Sequence, residues 1–115
     1  MKRGRKTVAV IGAGNVGATC AISLAEMKIG NVIMLDIFEG FAKGKALDMS
    51  QAGQILNYDG VITGTSSYED IAGAEVVVVT SGFPRKPGMT REDLISKNAS
   101  IITEVGAGIK KHAPD

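Results

Sequence analysis

An α/β fold built on a doubly wound parallel sheet is predicted by three observations on this sequence. Short β-branched runs alternate with longer stretches that carry apolar residues at helical spacing, the pattern of strands and covering helices. Glycines 12, 14 and 17 stand between the first such run and the first helical stretch. An acidic residue, Asp36, ends the second run, about 20 residues beyond the last of these glycines.

Each element follows from local pattern. Thr7 to Ile11 reads as a strand, and about Asn15 to Lys28 as a helix whose apolar stripe is Val16, Cys20, Leu24 and Met27. Asn31 to Asp36 is the second strand, about Gly40 to Ile55 the second helix, and Val61 to Thr65 the third strand. A short helical turn is expected near Tyr68 to Ile71, then a strand from Glu75 to Ser81, a loop from Gly82 to Met89 and a helix from Thr90 to about Ala113. Right-handed crossovers and the usual doubly wound order place the strands 3-2-1-4.

Two boundaries carry capping signals. Thr90-Arg-Glu-Asp93 fits a capping box, and Ser67-Tyr-Glu-Asp70 offers the same device to the short turn. Lys110, Lys111 and His112 suit the negative end of the last helix, and Pro114 stops it. The continuous run Val76-Val-Val-Val-Thr80 has the pattern of a strand covered on both faces and flanked on both edges. No strand follows to flank it, so the sheet reads as incomplete, with its fifth strand missing. The 115 residues are then expected to be the amino-terminal piece of a longer protein, one domain without a substrate domain.

Composition narrows the function classes. A net charge of +1 gives no reason to expect nucleic acid or a charged membrane surface as partner. No apolar run approaches the roughly 20 residues of a membrane span, and Lys2, Arg3, Arg5 and Lys6 read as a solvated lead-in to the first strand rather than a signal peptide. The lone cysteine, Cys20, excludes an internal disulfide and fits a reducing compartment, so a cytoplasmic protein is expected. Cys20 itself reads as a small core residue. Glu92 and Asp93 are explained by capping, and no histidine or cysteine lies at ligand spacing beside them, so no metal site is expected. Tyr58 and Tyr68 are too far apart in sequence to suggest a stacking platform.

The glycine motif carries the chemistry. Gly12 permits a tight turn off the strand, Gly14 lets backbone approach a pyrophosphate, and Gly17 lets the helix pack close. The amides of Ala13, Asn15 and Val16 belong to the same turn and the first helical residues, where unpaired N–H groups and the positive helix end favour phosphate oxygens. Asp36 is placed to accept both hydroxyl hydrogens of an adenosine ribose and would repel a 2′-phosphate, which favours NAD over NADP. A glycine turn serving only chain reversal is the plain alternative, and the strand–helix–strand context argues against it.

The loop Thr80-Ser-Gly-Phe-Pro-Arg85-Lys-Pro-Gly-Met-Thr-Arg91 begins where the winding of the sheet reverses, the usual place for a ligand. Gly82 and Gly88 supply hinge freedom, and Pro84 and Pro87 stiffen the segment between them, a composition suited to a lid. Two guanidinium groups near a nicotinamide ring, Arg85 and Arg91, imply an anionic, carboxylate-bearing substrate. Incidental charges on a solvated loop are the competing explanation, and composition alone does not separate the two.

Gly12-Ala-Gly-Asn-Val-Gly17, Leu35-Asp-Ile37, Gly44-Lys-Ala-Leu-Asp48 and above all Gly82-Phe-Pro-Arg-Lys-Pro-Gly-Met-Thr-Arg91 resemble the amino-terminal part of malate dehydrogenases of the lactate-dehydrogenase-like type. The resemblance runs from about Thr7 to Pro114. It implies a Rossmann fold, NAD as cofactor, and hydride transfer between malate and oxaloacetate, a reaction of the tricarboxylic acid cycle. By the same resemblance Arg85 pairs with the distal carboxylate of the substrate, Arg91 polarises the C2 carbonyl, and Asn98 contacts the cofactor. Lactate dehydrogenases are similar in this loop but typically carry glutamine where this chain has Arg85. The resemblance also implies that the general base lies beyond Asp115, so no catalytic residue is expected in this chain and the segment alone should be inactive. His112 is not a substitute, being next to Pro114 at a helix terminus. Asp48, Met49 and Gln51 to Ile55 continue a helix that in related enzymes packs against a second subunit, so a homo-oligomer is expected for the full-length protein. Two alternatives remain: a dinucleotide-binding module without catalysis, and, within enzymes, lactate dehydrogenase.

Overall fold

The computed structural model describes residues 6–27, 29–37, 39–56, 62–81 and 86–114. Its parallel sheet has four strands, β1 (Thr7–Ile11), β2 (Asn31–Leu35), β3 (Ile62–Thr65) and β4 (Val76–Val79), in the order β3-β2-β1-β4. Three α-helices connect and cover them: α1 (Asn15–Glu26), α2 (Glu39–Leu56) and α3 (Arg91–His112). A 3-10 turn occupies Tyr68–Ile71, as the sequence pattern predicts.

The central strands are buried along their whole length and sort their side chains by the two-residue period of a pleated strand. Val10, Val32, Met34 and Ile62 meet Ala18, Ala21 and Ala25 of α1 and Ala46 and Met49 of α2 on one face. Ala9, Ile11, Ile33 and Leu35 meet Ile71, Ala74 and Val105 on the other. Both faces are therefore covered, α1 and α2 on one side, α3 and the 3-10 turn on the other, which is the physical content of double winding.

The helix α1 corrects the expected apolar stripe. Val16 and Met27 are 72% and 69% exposed, Cys20 and Leu24 are half-buried, and the face on the sheet is Ala18, Ala21 and Ala25. The helix backbone lies too near the sheet for larger side chains, so the residues with the least volume, not the greatest hydrophobicity, face inward. The fourth strand forms the sheet edge, with Val76 54% and Val79 40% exposed, as expected of a valine run that lacks its outer neighbour. Ladder bonds extend it by one residue at each end, Glu75 N to the Thr7 carbonyl at 2.9 Å and Thr80 N to the Ile11 carbonyl at 2.8 Å.

Capping also divides. At α3 the box is complete: Thr90 Oγ1 accepts from Asp93 N and Asp93 Oδ2 accepts from Thr90 N, both at 3.1 Å. At the 3-10 turn Ser67 makes no side-chain cap. The Ser67 amide instead donates to Thr65 Oγ1 at 3.0 Å, and the Thr65 hydroxyl donates to Asp70, so a buried strand-end side chain holds the entry to the turn.

Tyr68 ties the turn to α3. Its ring lies parallel to His112, with centroids 6.5 Å apart, and packs on Gly108, where an added Cβ would come within 2.6 Å of its Cδ1. Burial and, second, the Glu104 carboxylate raise the pKa of its phenol above the ordinary 10.0. A raised pKa means that the folded state holds the phenol proton more tightly than the unfolded chain, so its stabilising contribution is complete below pH 10 and lost as pH rises through the folded value. Alkaline unfolding should therefore begin at a higher pH in Tyr68→Phe than in the parent, once the difference in their neutral stabilities is subtracted. Phenolate absorbance of the parent should show one tyrosine titrating late.

Candidate functional site

The chain leaves β1 towards β2 and β3 on one side and returns to β4 on the other. A crevice therefore opens beyond Ile11 and Val79, register partners at the carboxyl ends of adjacent strands. The segment Gly12-Ala-Gly14 crosses the mouth of this crevice. Gly12 has φ +103°, a conformation a side chain rarely tolerates, and its N–H donates to the Leu35 carbonyl at 2.7 Å. A Cβ on Gly17 would fall far inside van der Waals contact with the Gly12 carbonyl oxygen and 2.8 Å from Thr80 Oγ1. Each glycine thus does what the motif requires of it: Gly12 turns, and Gly17 permits close approach.

Gly14 differs from both. It is exposed, and a Cβ there would meet no atom within 4 Å. No crowding by the described residues explains a glycine here, and its open face leaves room for a ligand to approach. Gly14 also serves as N-cap of α1, with no side-chain hydrogen bond to the helix and no acidic residue in the first turn. The contrast is internal to the molecule, because α3 has a full capping box with Glu92 and Asp93 in its first turn. An uncapped helix end with an open glycine in front of it is suited to accept a phosphate. Asn15 and Val16 open α1 behind this turn, with the Asn15 side chain outside the described residues, but the Ala13 amide, expected to face a phosphate, is taken by Asp36 Oδ2.

Asp36 stands at the carboxyl end of β2, beside this turn. Its backbone is fixed by donation from Asp36 N to the Thr65 carbonyl at 3.0 Å, and its half-buried carboxylate accepts from Ala13 N at 2.9 Å through Oδ2. This second bond is not evident from the motif. It brings the carboxylate against the phosphate-binding turn itself, so the groups expected to hold ribose and pyrophosphate are joined directly.

The arginine loop is described in part. Gly82, Pro84 and Arg85 lie outside the described residues, and Lys86 to Met89 form a turn with Gly88 at φ +85° and Met89 N donating to the Lys86 carbonyl at 3.1 Å. Arg91 is the first residue of α3 and is exposed; Asn98, half-buried, follows on the same side of the helix two turns later. His112 is at the opposite pole. It lines a cleft of about 380 Å³ with Gly73, Ala74, Glu75, Ala113 and Pro114, at the amino end of β4 and away from the glycine turn.

The residue that sequence reasoning missed is Thr80. Its hydroxyl reaches the carbonyls of Ile11 and Gly12, each at 3.1 Å, across the gap between β4 and β1. A hydroxyl residue directly after the valine run was the only available signal, and its partner is known only once β1 and β4 are neighbours.

Comparison with known proteins agrees with this geometry. Residues 6–115 match the lactate/malate dehydrogenase NAD-binding domain. A malate dehydrogenase of Methanosarcina barkeri is 55% identical over 108 residues, covering 94% of this chain and 35% of that protein. The apo structure of the malate dehydrogenase from Picrophilus torridus superposes with a TM-score of 0.92 at 45% identity, over 96% of this chain and 36% of that one. A malate dehydrogenase of Archaeoglobus fulgidus, solved in complex with NADH, gives 0.88 at 38% identity over 94% of this chain and 37% of that one. The chain thus spans about a third of the length of these relatives. With an uncapped helix end, an open glycine and a β2 carboxylate in one crevice, and with a family match over nearly all its residues, the chain belongs to the lactate/malate dehydrogenases and corresponds to their NAD-binding domain.

Proposed function

We propose that this chain is the cofactor-binding part of an NAD-dependent malate dehydrogenase that interconverts malate and oxaloacetate, and that further sequence supplies its substrate domain and general base. The observation that carries the reading is Gly14, whose open face lies before an uncapped helix and beside Asp36. The amides from Gly14 to Gly17 hold the diphosphate, and Asp36, held by the Ala13 amide, takes the adenosine ribose and excludes a 2′-phosphate. Bound NAD supplies hydride transfer at carbon. Asn98 and the backbone of the glycine turn orient it, Arg91 stabilises the developing alkoxide, and Arg85 pairs with the second carboxylate. Support for the arginines comes from the loop sequence and from the position of Arg91 at the start of α3, beyond the end of β4.

The exposed valines of β4 and the one-third coverage of the relatives support a longer protein. Of the α2 residues proposed to meet a second subunit, Asp48 is exposed and fits that role, whereas Met49 is buried in the core. A cytoplasmic location and a place in the tricarboxylic acid cycle complete the reading, the first supported by the lone cysteine and the second by the reaction. The test is NADH oxidation by the full-length polypeptide. Oxaloacetate should be preferred over pyruvate by at least about a hundredfold, because a monocarboxylate leaves one buried cation unpaired. Equal rates with the two substrates, or a preference for NADPH, would remove the reading.

A further inference from the structure

The Gly12 carbonyl and the Ala13 N–H belong to one peptide unit, and a different side chain holds each end of it. Thr80 Oγ1 is 3.1 Å from the Gly12 oxygen, and Asp36 Oδ2 is 2.9 Å from the Ala13 nitrogen. Thr80 Oγ1 lies equally close to the Ile11 oxygen, but a hydroxyl has one proton to give. The Ile11 oxygen already receives Thr80 N at 2.8 Å and Ser81 Oγ at 3.2 Å, which fill its two lone pairs. The Thr80 proton is thereby directed to Gly12. Peptide planarity makes the two ends of the unit rotate together, so fixing the carbonyl fixes the direction in which the Ala13 N–H points. Rotation elsewhere is blocked as well: a Cβ at Gly12 would stand 2.7 Å from the same hydroxyl, so Thr80 fills the space beside the turn.

We infer that Thr80 is a positioning residue for Asp36, acting through the Gly12–Ala13 peptide: it orients the amide that in turn orients the carboxylate proposed to bind the cofactor ribose. The inference rests on the nucleotide reading given above and adds to it a group that does not touch the nucleotide in order to act. The Ala13 amide holds one oxygen of Asp36 and so sets its rotamer before a ligand arrives. Such preorganisation removes an ordering cost from binding.

The experiment is NADH affinity and steady-state kinetics of the full-length protein with Thr80→Val, which keeps shape and removes the donor, and Thr80→Ser, which keeps the donor. Loss of one net hydrogen bond corresponds to about a fivefold rise in the Kd and KM for NADH, with kcat and the KM for oxaloacetate unchanged. Thr80→Ser should restore parental values. In an Asp36→Ala background, the same Thr80→Val change should have almost no further effect, because the route through the carboxylate is gone. An unchanged Kd in Thr80→Val, an equal loss in Thr80→Ser, or an undiminished loss in the Asp36→Ala background would overturn the inference while leaving NADH binding by the parent, and with it the nucleotide reading, intact. Absence of NADH binding by the parent would overturn both. Thr80→Ala, which adds no bulk, replaces a valine variant that does not fold. If neither folds while Thr80→Ser does, the hydroxyl serves stability alone and the inference fails.

Discussion

Gly17→Ala will cost the protein both its fold stability and its hold on NADH, whereas Gly14→Ala will cost it only the second. The added methyl at Gly17 meets the Gly12 carbonyl, a backbone atom that cannot rotate away, with Thr80 Oγ1 at 2.8 Å closing the other exit. Relief requires α1 to lift from the sheet, but α1 packs there through Ala18, Ala21 and Ala25, and lifting it would open a void along that whole face. Overpacking of a side-chain core typically costs about 1 to 3 kcal/mol, and a contact with fixed backbone belongs at or above the upper end. Against a total stability of about 5 to 15 kcal/mol, that is a large fraction. Gly14 has φ −71°, which alanine adopts freely, and open space where the methyl would go. Its replacement should lower stability only by a lost N-cap preference of about 1 kcal/mol or less. The methyl would nevertheless stand between the helix end and a diphosphate. Thermal unfolding and NADH fluorescence titration of the two variants should separate them cleanly. Full NADH affinity in Gly14→Ala would show that no phosphate approaches that face.

Arg85→Gln should move substrate preference from oxaloacetate towards pyruvate by between about two and four powers of ten. A buried guanidinium left without its carboxylate costs about 3 to 5 kcal/mol, and each 1.36 kcal/mol is a factor of ten in rate. On the proposed reading, oxaloacetate would pair that charge in the parent, whereas pyruvate would set it against a methyl group. Glutamine reverses the situation, since a neutral amide tolerates the methyl and no longer neutralises the second carboxylate. The change should appear in kcat/KM for the two keto acids while the Kd for NADH stays within about twofold, because the nucleotide is held by groups at the ends of β1 and β2. A preference that does not move would mean that selectivity resides elsewhere, and the substrate reading would lose its main support.

The Thr7 to Asp36 segment was legible almost in full because its information is local. A glycine's freedom at φ +103°, the burial of a β-branched run and the capping box at Thr90 each depend on residues within a few positions of one another. Strand order, too, followed once right-handed crossovers were combined with the usual doubly wound order. What was not legible depends on distance between elements. Val16 and Met27 look like core residues by periodicity, yet α1 turns Ala18, Ala21 and Ala25 to the sheet, with Cys20, Ile22 and Leu24 partly buried beside them. Ser67 looks like a cap, yet its side chain makes no cap bond and its own amide is held by the buried strand-end hydroxyl of Thr65.

By itself, then, the sequence determined the fold class, the dinucleotide motif with its choice of NAD, and the likeness of the arginine loop to a dicarboxylate dehydrogenase. All three are written in residue type and spacing. Only the tertiary structure decided how the motif is held. The Gly12–Ala13 peptide is gripped from β4 by Thr80 and from the end of β2 by Asp36, residues far apart along the chain that meet because β1 lies between their strands. Hydrogen bonds of this kind are set by strand neighbourhood and side-chain direction, and those exist only after the sheet has formed.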